Sequence, residues 1–596
     1  MGKRWRVVPH DAARIEQLVV SAGVSPVLAQ LLVSRGVYDG TEARRFLSAS
    51  LADLRDPFEL PGCRAAVAQI AEALRDSRRI TIYGDYDCDG MTAAGILVGI
   101  LELVGAQVNY YVPNRLEDGY GLSLEAVERL ARRGTQTIIT VDCGITSLEC
   151  AERCRELGVQ LIITDHHQFG ARLPAAAAIV HPRLPGGEYP FGDLCGAGVA
   201  FKLAWGLCQE LSGAKKVSPR MRACLMRALA LAAIGTVADM VPLMGENRVL
   251  VRHGLRSLQG DPPEGLAQLM RITKLNQKSS LTSEDISFTI APRLNAAGRL
   301  GQAQLGVELL TASDPVRATA LAEYIDQLNA SRDTLERSVY KSAHQQAKER
   351  FDPQHDPALV LAGAGWHLGV IGVVAGRLAE RYSKPVIIIA SDPLAAKPAV
   401  GSGRAGGPID LHAALHACEE HLISFGGHRA AAGLKVDDRR IDQFRSEFFE
   451  AVAVQQAELS EPHDLVIDAE TTLGQLSHET LQQIELLAPF GQGNPRPLLL
   501  AQGVALCEPS RRMGSGDRHL SMRLEHGGTK IRSVAFGGGE WCEQINQLES
   551  RLDIVFRPVV NEYQGRRSIE AQVVDWRPTA RETSQSSSPE RQSSRS

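Results

Sequence analysis

Asp85, Asp87 and Asp89 alternate along the stretch Ile80-Thr-Ile-Tyr-Gly-Asp-Tyr-Asp-Cys-Asp-Gly90. Read as the end of a short apolar strand, alternation puts the three carboxylates on one side. Crowded carboxylates repel and raise each other's pKa. A divalent cation removes that cost, and hard oxygen ligands suit magnesium or manganese. Further groups of the same kind recur downstream: Asp142 in Asp142-Cys-Gly144, then Asp165-His166-His167, then Asp239 in Gly235-Thr-Val-Ala-Asp-Met-Val-Pro242. Each alone is an ordinary turn; all of them together match a hydrolytic site in which two ions, about 3.5–4 Å apart, clamp the attacking and leaving oxygens of a phosphoryl displacement.

The elements that must position these groups are read from the apolar pattern. Between 61 and 245, short apolar runs alternate with helical stretches. The runs are Ile80–Tyr83, Val108–Val112, Ile138–Val141, Leu161–Thr164 and Ala178–Val180; the helices include Ala65–Leu74, Met91–Val104, Ser123–Arg133 and Ser147–Leu157. Near-continuous apolar strands between helices predict a parallel sheet covered on both faces. Ligands of such sheets sit outside the carboxyl ends of the strands. The Ile80, Ile138 and Leu161 runs each end in an acidic or imidazole group, so one sheet edge would collect them.

Six segments are expected over the 596 residues: a helical lead-in at 1–60, the parallel α/β domain at 61–245, a helical connector at 246–345, a second α/β unit at 346–457, a β-barrel at 460–577 and a disordered tail at 578–596. In the connector, Leu321, Ile325, Leu328, Leu335 and Val339 trace one long amphipathic helix interrupted by Arg332. In the second α/β unit, Gly365–Arg377, Gly401-Ser-Gly-Arg404 and Gly426-Gly-His428 read as glycine-rich turns that let backbone amides approach phosphate. Short strands and Gly-rich turns after 462 suggest an OB-type barrel. Its Arg511, Arg512, Arg518, Arg523, Arg532, Arg566 and Arg567 could track a single strand. The tail is almost free of apolar side chains.

Composition excludes several classes. With 44% hydrophobic and 22% charged residues, the chain is that of an ordinary globular protein. It shows no uninterrupted run of about 18 apolar residues, and Met-Gly-Lys-Arg-Trp-Arg at the start has no apolar segment behind it, so neither a membrane span nor a signal peptide is expected. The eleven cysteines include no Cys-x-x-Cys pair, which points to reduced thiols and a cytoplasmic setting. A net charge of -4 leaves nucleic acid to a local basic groove or to bound metal.

Asp165-His166-His167, with Asp87-x-Asp89, Asp142 and Asp239, resembles the DHH phosphoesterase superfamily. Tyr83-Gly-Asp-Tyr-Asp-Cys-Asp-Gly90, Gly119-Tyr-Gly121, Val141-Asp-Cys-Gly144, Arg293-Leu-Asn-Ala-Ala-Gly-Arg299, Gly365-Trp-His-Leu-Gly-Val-Ile-Gly372, Gly426-Gly-His-Arg-Ala-Ala-Ala-Gly433 and Pro489-Phe-Gly-Gln-Gly-Asn494 more specifically resemble motifs of the RecJ exonuclease family. The resemblance runs from about 60 to 575. It implies a DHH domain, a DHHA1 domain and an OB-like domain. It also implies two Mn²⁺ or Mg²⁺ ions, Asp87 on one, Asp89 on the other, and Asp142 bridging. His166 and Asp239 would complete the second site, and His167 would face substrate or a ligand residue. Asp142, His166 and His167 would thus be the catalytic set. Many superfamily members carry a His four residues before the first Asp of the Asp-x-Asp pair; here that residue is Tyr83, and Asp85 is the candidate replacement. The resemblance further implies a pocket for a terminal 5′ phosphate, for which Arg115, Ser402 and Arg404 are the candidates, with Arg293, Gly427 and His428 nearby.

The function implied is 5′→3′ digestion of single-stranded DNA to mononucleotides in recombination and repair. The implied form is a monomer, with single-strand-binding protein and a RecQ-type helicase as protein partners. Two rivals stand beside it. A DHH phosphodiesterase of short oligoribonucleotides or cyclic dinucleotides would have no use for an OB-like clamp. A scaffold that only binds single strands would gain nothing from carboxylates crowded beside phosphate.

Overall fold

The computed structural model describes residues 4–115, 121–352, 355–394, 396–458, 464–563 and 566–579. Gly119 and Tyr120, the Arg566 side chain and the expected tail from 580 onward lie outside the described residues. The chain forms two compact units. One comprises Ala49–Glu461 with Pro489–Asn494; the other comprises Met1–Ser48, Pro462–Ala488 and Pro495–Ser596.

The first unit begins with a five-stranded sheet in the order Val108–Tyr111, Ile80–Tyr83, Thr137–Val141, Gln160–Thr164, Ala178–Val180. All four pairings are parallel. The strand Ile80–Tyr83 is buried along its whole length, as a sheet covered on both faces requires. From it the chain goes first to the Val108 strand on one side and then back to the Thr137 strand on the other. The crevice between the Ile80 and Thr137 strands is therefore a topological switch point, where open α/β sheets bind their ligands.

One helix differs from its expected span in a way that matters. Cys88–Leu103 begins three residues before Met91, with Asp87 as its N-cap; Asp87 Oδ1 accepts from Gly90 N at 3.0 Å. The alternation of Asp85, Asp87 and Asp89 on an extended segment is thus corrected: the strand stops at Tyr83, Asp87 caps a helix and Asp89 lies in its first turn. A capping carboxylate satisfies an otherwise unpaired amide. This helix is apolar nearly all round because it packs against Gly196–Ser212 and Pro219–Ala238. Pro219–Ala238 is long and apolar enough to cross a membrane by length and composition, and 61% of its apolar window is buried inside the fold.

Helices continue through the connector and end in the 36-residue helix Pro315–Arg350. Leu321, Ile325, Leu328 and Val339 on it are buried. Arg332 sits on that buried stripe because Glu336 and Asn329 take its guanidinium at 2.7 Å each.

A second sheet follows in the order Leu422–His428, Ala431–Val436, Ala399–Arg404, Val386–Ser391, Leu359–Ala364. Two expected glycine turns are strands here: Gly401–Arg404 falls in Ala399–Arg404 and Gly426–His428 ends Leu422–His428. Gly401 and Gly403 answer to close packing, while a Cβ on Gly426 would meet nothing within 4 Å. A Cβ on Gly401 would lie 2.8 Å from Leu434 Cδ1, and one on Gly403 would lie 2.5 Å from Ile387 Cδ1.

The other unit holds a closed barrel of Leu499–Leu506, Leu552–Tyr563, Arg566–Pro578, Thr529–Ala535 and His519–His526, the last pairing back to the first. Closure removes the sheet edges. The lead-in is not purely helical: Arg4–Val7 pairs in parallel with Asp464–Ile467. Trp5 Nε1 donates to Asp575 Oδ2 at 2.9 Å, and buried Arg35 donates to Pro495 O at 2.8 Å. The first residues of the chain thereby pack with its last domain. Of the barrel's basic side chains, Arg512 pairs with Glu543 at 3.0 Å and Arg532 with Glu570 at 3.4 Å.

Candidate active site

Three groups of side chains converge at the switch-point edge: Asp85, Asp87 and Asp142; Asp89, His166 and Asp239; and Asp142, His166 and His167. Within each, the ligand-capable atoms lie within 4.8 Å of one another, so the groups share members and merge into one cluster. His166 Nε2 is 3.1 Å from Asp142 Oδ1, 3.7 Å from Asp239 Oδ2 and 3.9 Å from Asp89 Oδ2.

Each side chain is held by its element. Asp142 follows the Thr137–Val141 strand in the left-handed region, at φ 62°, and its amide donates to Thr164 O at 3.0 Å. A non-glycine residue persists there only when its surroundings over-determine it. Asp89 accepts from the amides of Gly196 and Ala197, at 2.6 and 2.9 Å, at the start of Gly196–Ser212. Helix N-terminal amides suit a carboxylate in that place. Asp239 is the C-cap of Pro219–Ala238. Cys88 N, at the start of Cys88–Leu103, donates to Asn295 Oδ1 at 2.9 Å.

The electrostatics describe an anionic cluster in want of positive charge. Burial, then the neighbouring Asp87, raises Asp85; burial, then Asp89 and Asp87, raises Asp142. Burial and the neighbouring aspartates push Asp89 up to about 6 and Asp239 up to about 8. Burial and the adjacent His167 hold His166 down at about 3, so its ring is a neutral donor of a lone pair. Asp85 Oδ1, Asp142 Oδ1 and His166 Nε2 are buried and make no hydrogen bond of proper geometry, the last two approaching each other at 3.1 Å without forming one. Buried polar atoms are otherwise paired in folded proteins. Oxygen-rich donors with one imidazole fit Mg²⁺ or Mn²⁺. Tyr83 points elsewhere: its hydroxyl donates to Gly121 O at 3.0 Å, while Asp85 is in the cluster.

Asp165 has a part that its motif did not reveal. Its Oδ1 accepts from His166 N, His167 N and His167 Nδ1 at 2.7, 3.1 and 2.7 Å, and its Oδ2 accepts from Ile145 N at 3.0 Å. It therefore fixes the backbone of both histidines and the ring of His167. Although burial works against it, this carboxylate raises His167 to about 9. His181 Nε2 meets His167 O at 2.9 Å and braces the same turn from behind.

The candidate phosphate residues divide. Arg404 Nη1 donates to Ser402 Oγ at 3.2 Å, and a Cβ on Gly372 would lie 3.0 Å from Ser402 Oγ and 3.1 Å from Arg404 Nη2. Burial, then the charge of Arg115, lowers Arg404. Burial, then Arg115, Arg332 and Arg404, lowers Arg299 to about 10. Arg115, Arg332 and Arg404 thus lie within electrostatic reach of Arg299, with Ser402 bonded to Arg404. Arg293 is committed elsewhere, to Asp326 at 2.8 Å and Thr289 O at 2.8 Å. Gly427 and His428 end an exposed edge strand, paired with Ala432 and Ala431. Arg299 was within reach of sequence reasoning, since it closes the same motif as Arg293.

A switch-point cluster of Asp and His on a five-stranded parallel sheet, followed by a separate α/β unit, defines a DHH-type phosphoesterase fold. The family model for the DHH family N-terminal domain matches residues 79–235, that for the DHHA1 domain 355–454 and that for the RecJ OB domain 467–575. A single-stranded-DNA-specific exonuclease RecJ of Bacillus subtilis (strain 168) is 36% identical over 96% of this chain and 70% of its own. One of Dickeya dadantii (strain 3937) is 35% identical over 91% of this chain and 94% of its own. The crystal structure of RecJ from Thermus thermophilus in complex with Mn²⁺ superposes with a TM-score of 0.81 at 32% identity, covering 97% of this chain and 80% of that one; the Mg²⁺ complex gives 0.75. The chain belongs to the RecJ family of exonucleases.

Proposed function

We propose that this protein is a single-stranded-DNA-specific exonuclease that degrades DNA from the 5′ end by metal-assisted hydrolysis, in recombination and repair. The observation that carries the reading is the merged Asp–His cluster, with its buried atoms on Asp85, Asp142 and His166 that make no hydrogen bond of proper geometry. Asp85, Asp87, Asp89, Asp142, His166 and Asp239 would hold two Mn²⁺ or Mg²⁺ ions. When bound, the ions supply an activated water and neutralise charge developing on the scissile phosphate. The chain's own residues do the rest. Asp165 fixes the His167 ring, whose charged form donates a hydrogen bond to a phosphate oxygen. Gly196 and Ala197 amides hold Asp89 against movement.

Arg115, Arg299, Ser402 and Arg404 suit a terminal phosphate, whose extra charge and free oxygen an internal phosphodiester lacks. That difference supports selection of the 5′ end. The barrel supplies a second nucleic-acid-binding surface through Arg511, Arg518, Arg523 and Arg567. Eleven free cysteines suit a reducing cytoplasm. A monomer, with single-strand-binding protein and a RecQ-type helicase as partners, completes the reading on family grounds.

The test is nucleotide release, with Mn²⁺ or Mg²⁺, from a single strand, its blunt duplex and a short oligoribonucleotide. Rapid mononucleotide release from the single strand alone is expected. Release from the oligoribonucleotide alone would transfer the reading to a small-substrate phosphodiesterase.

A further inference from the structure

The hexapeptide Pro489–Asn494 leaves the unit of its chain neighbours and belongs to the catalytic one. It is a closed loop. Gly491 N donates to Asn494 O at 2.9 Å and Asn494 N to Gly491 O at 3.1 Å, while the fully buried Asn494 side chain donates to Pro489 O at 2.8 Å. The loop seats on the segment that directly follows Asp239. Leu243 N donates to Gln492 O at 2.8 Å. A Cβ on Gly491 would lie 2.7 Å from Leu243 Cδ1, and one on Gly493, at φ +71°, would lie 3.0 Å from Pro242 Cβ. Ser283 Oγ donates to Phe490 O from the other side.

Within the segment so covered, Leu243 is buried in the core at 2% exposed. Met240 stands in the left-handed region at φ 60° and is 71% exposed. Beyond it, buried Asn247 Nδ2 donates to Pro242 O at 3.1 Å and to Asp193 O at 2.6 Å. Asp239 therefore stands between the end of Pro219–Ala238 and a short stretch tied by Asn247 at Pro242 and by the hexapeptide at Leu243.

We propose that Pro489–Asn494 is a positioning clasp for Asp239, holding the carboxylate where it completes the ion site. The inference rests on the reading of Asp239 as a ligand. Support around a ligand typically governs metal affinity by about 10–100-fold.

The test measures Mn²⁺ binding to the full chain by calorimetry, beside thermal unfolding, for Gly493→Val, Ser283→Ala and Asp239→Asn. Gly493→Val is expected to weaken by about tenfold the Mn²⁺ binding step that Asp239→Asn removes, and Ser283→Ala to weaken the same step by a smaller factor. Asp239→Asn is expected to abolish that step. If Asp239→Asn weakens binding while Gly493→Val and Ser283→Ala bind Mn²⁺ as the wild type does, the clasp is overturned and the ligand stands. If Asp239→Asn binds normally, the ligand reading itself fails. Should Gly493→Val not fold, Ser283→Ala decides, since it removes one hydrogen bond and leaves every backbone angle free to persist.

Discussion

Gly196 stands between two carboxylates of the cluster, and one methyl group there tests whether their separation governs catalysis. Its amide donates to Asp89 Oδ2 at 2.6 Å. A Cβ at this position would lie 2.6 Å from Asp142 Cβ and 2.7 Å from both Asp142 Cγ and Oδ1. Ordinary van der Waals contact begins near 3.4 Å, so Asp142 or the helix start must retreat by about 0.8 Å. Asp142 cannot rotate away cheaply, because its backbone is already at φ 62° and its side chain is 2% exposed. Misplacement of reacting groups on the order of 1 Å costs roughly 10²-fold in rate. Overpacking costs about 1–3 kcal/mol of stability. Gly196→Ala is therefore expected to fold and to lower kcat by about 100-fold, with KM for the strand nearly unchanged because the arginine pocket is untouched. Gly198→Ala is the control: its Cβ would lie 3.2 Å from Leu194 Cδ2, with Leu194 Cβ and Leu250 Cδ1 at 3.5 and 3.7 Å, and it would touch no carboxylate. Steady-state nucleotide release at saturating Mn²⁺, with thermal unfolding, reads all of this. A Gly196→Ala protein with kcat within a few-fold of wild type would refute the claim that the Asp89–Asp142 spacing is catalytic.

Three further outcomes follow from other parts of the structure. Arg404→Ala should raise KM for a 5′-phosphorylated strand by about 10–100-fold, the equivalent of a lost charge-assisted contact, with a much smaller change for a 5′-hydroxyl strand in the same assay. Lys202 is fully buried and its ammonium bonds Glu246, which also accepts from Arg55 N at 3.0 Å. Lys202→Met should cost about 3–5 kcal/mol in chemical unfolding by stranding that carboxylate, and Lys202→Met with Glu246→Leu should recover much of the loss. Mn²⁺ at about 100 times its dissociation constant should stabilise the wild type by about 2.7 kcal/mol; Asp142→Asn should lose most of that rise in a thermal melt, and an equal rise in both proteins would deny Asp142 a place at the ions.

The sheet was legible because its strands are short apolar runs alternating with helices, and that pattern alone sends Asp142 and His166 to one edge. Less legible was the turn after Tyr83: both an extended segment and a helix N-cap accommodate Asp87, and only the fold shows the cap bond to Gly90. Gly401 and Gly403 read as a turn because glycine usually marks one; their role is to admit Leu434 and Ile387 against the strand, a tertiary fact. Arg293 and Arg299 share the helix Ala291–Arg299, but six residues at about 100° each leave them on different faces. One therefore meets Asp326 and the other feels the charges of Arg115, Arg332 and Arg404. The strand Arg4–Val7 was hidden since its partner lies far along the chain, at Asp464–Ile467, and four residues carry too little periodicity.

The central claim is that one metal-holding Asp–His cluster hydrolyses single-stranded DNA from the 5′ end. Digestion of 5′-labelled and 3′-labelled single strands with Mn²⁺, with Asp142→Ala alongside, tests it most directly. The account predicts immediate release of the 5′ label as mononucleotide, late release of the 3′ label and neither with Asp142→Ala. Early release of the 3′ label, or undiminished digestion by Asp142→Ala, would contradict it.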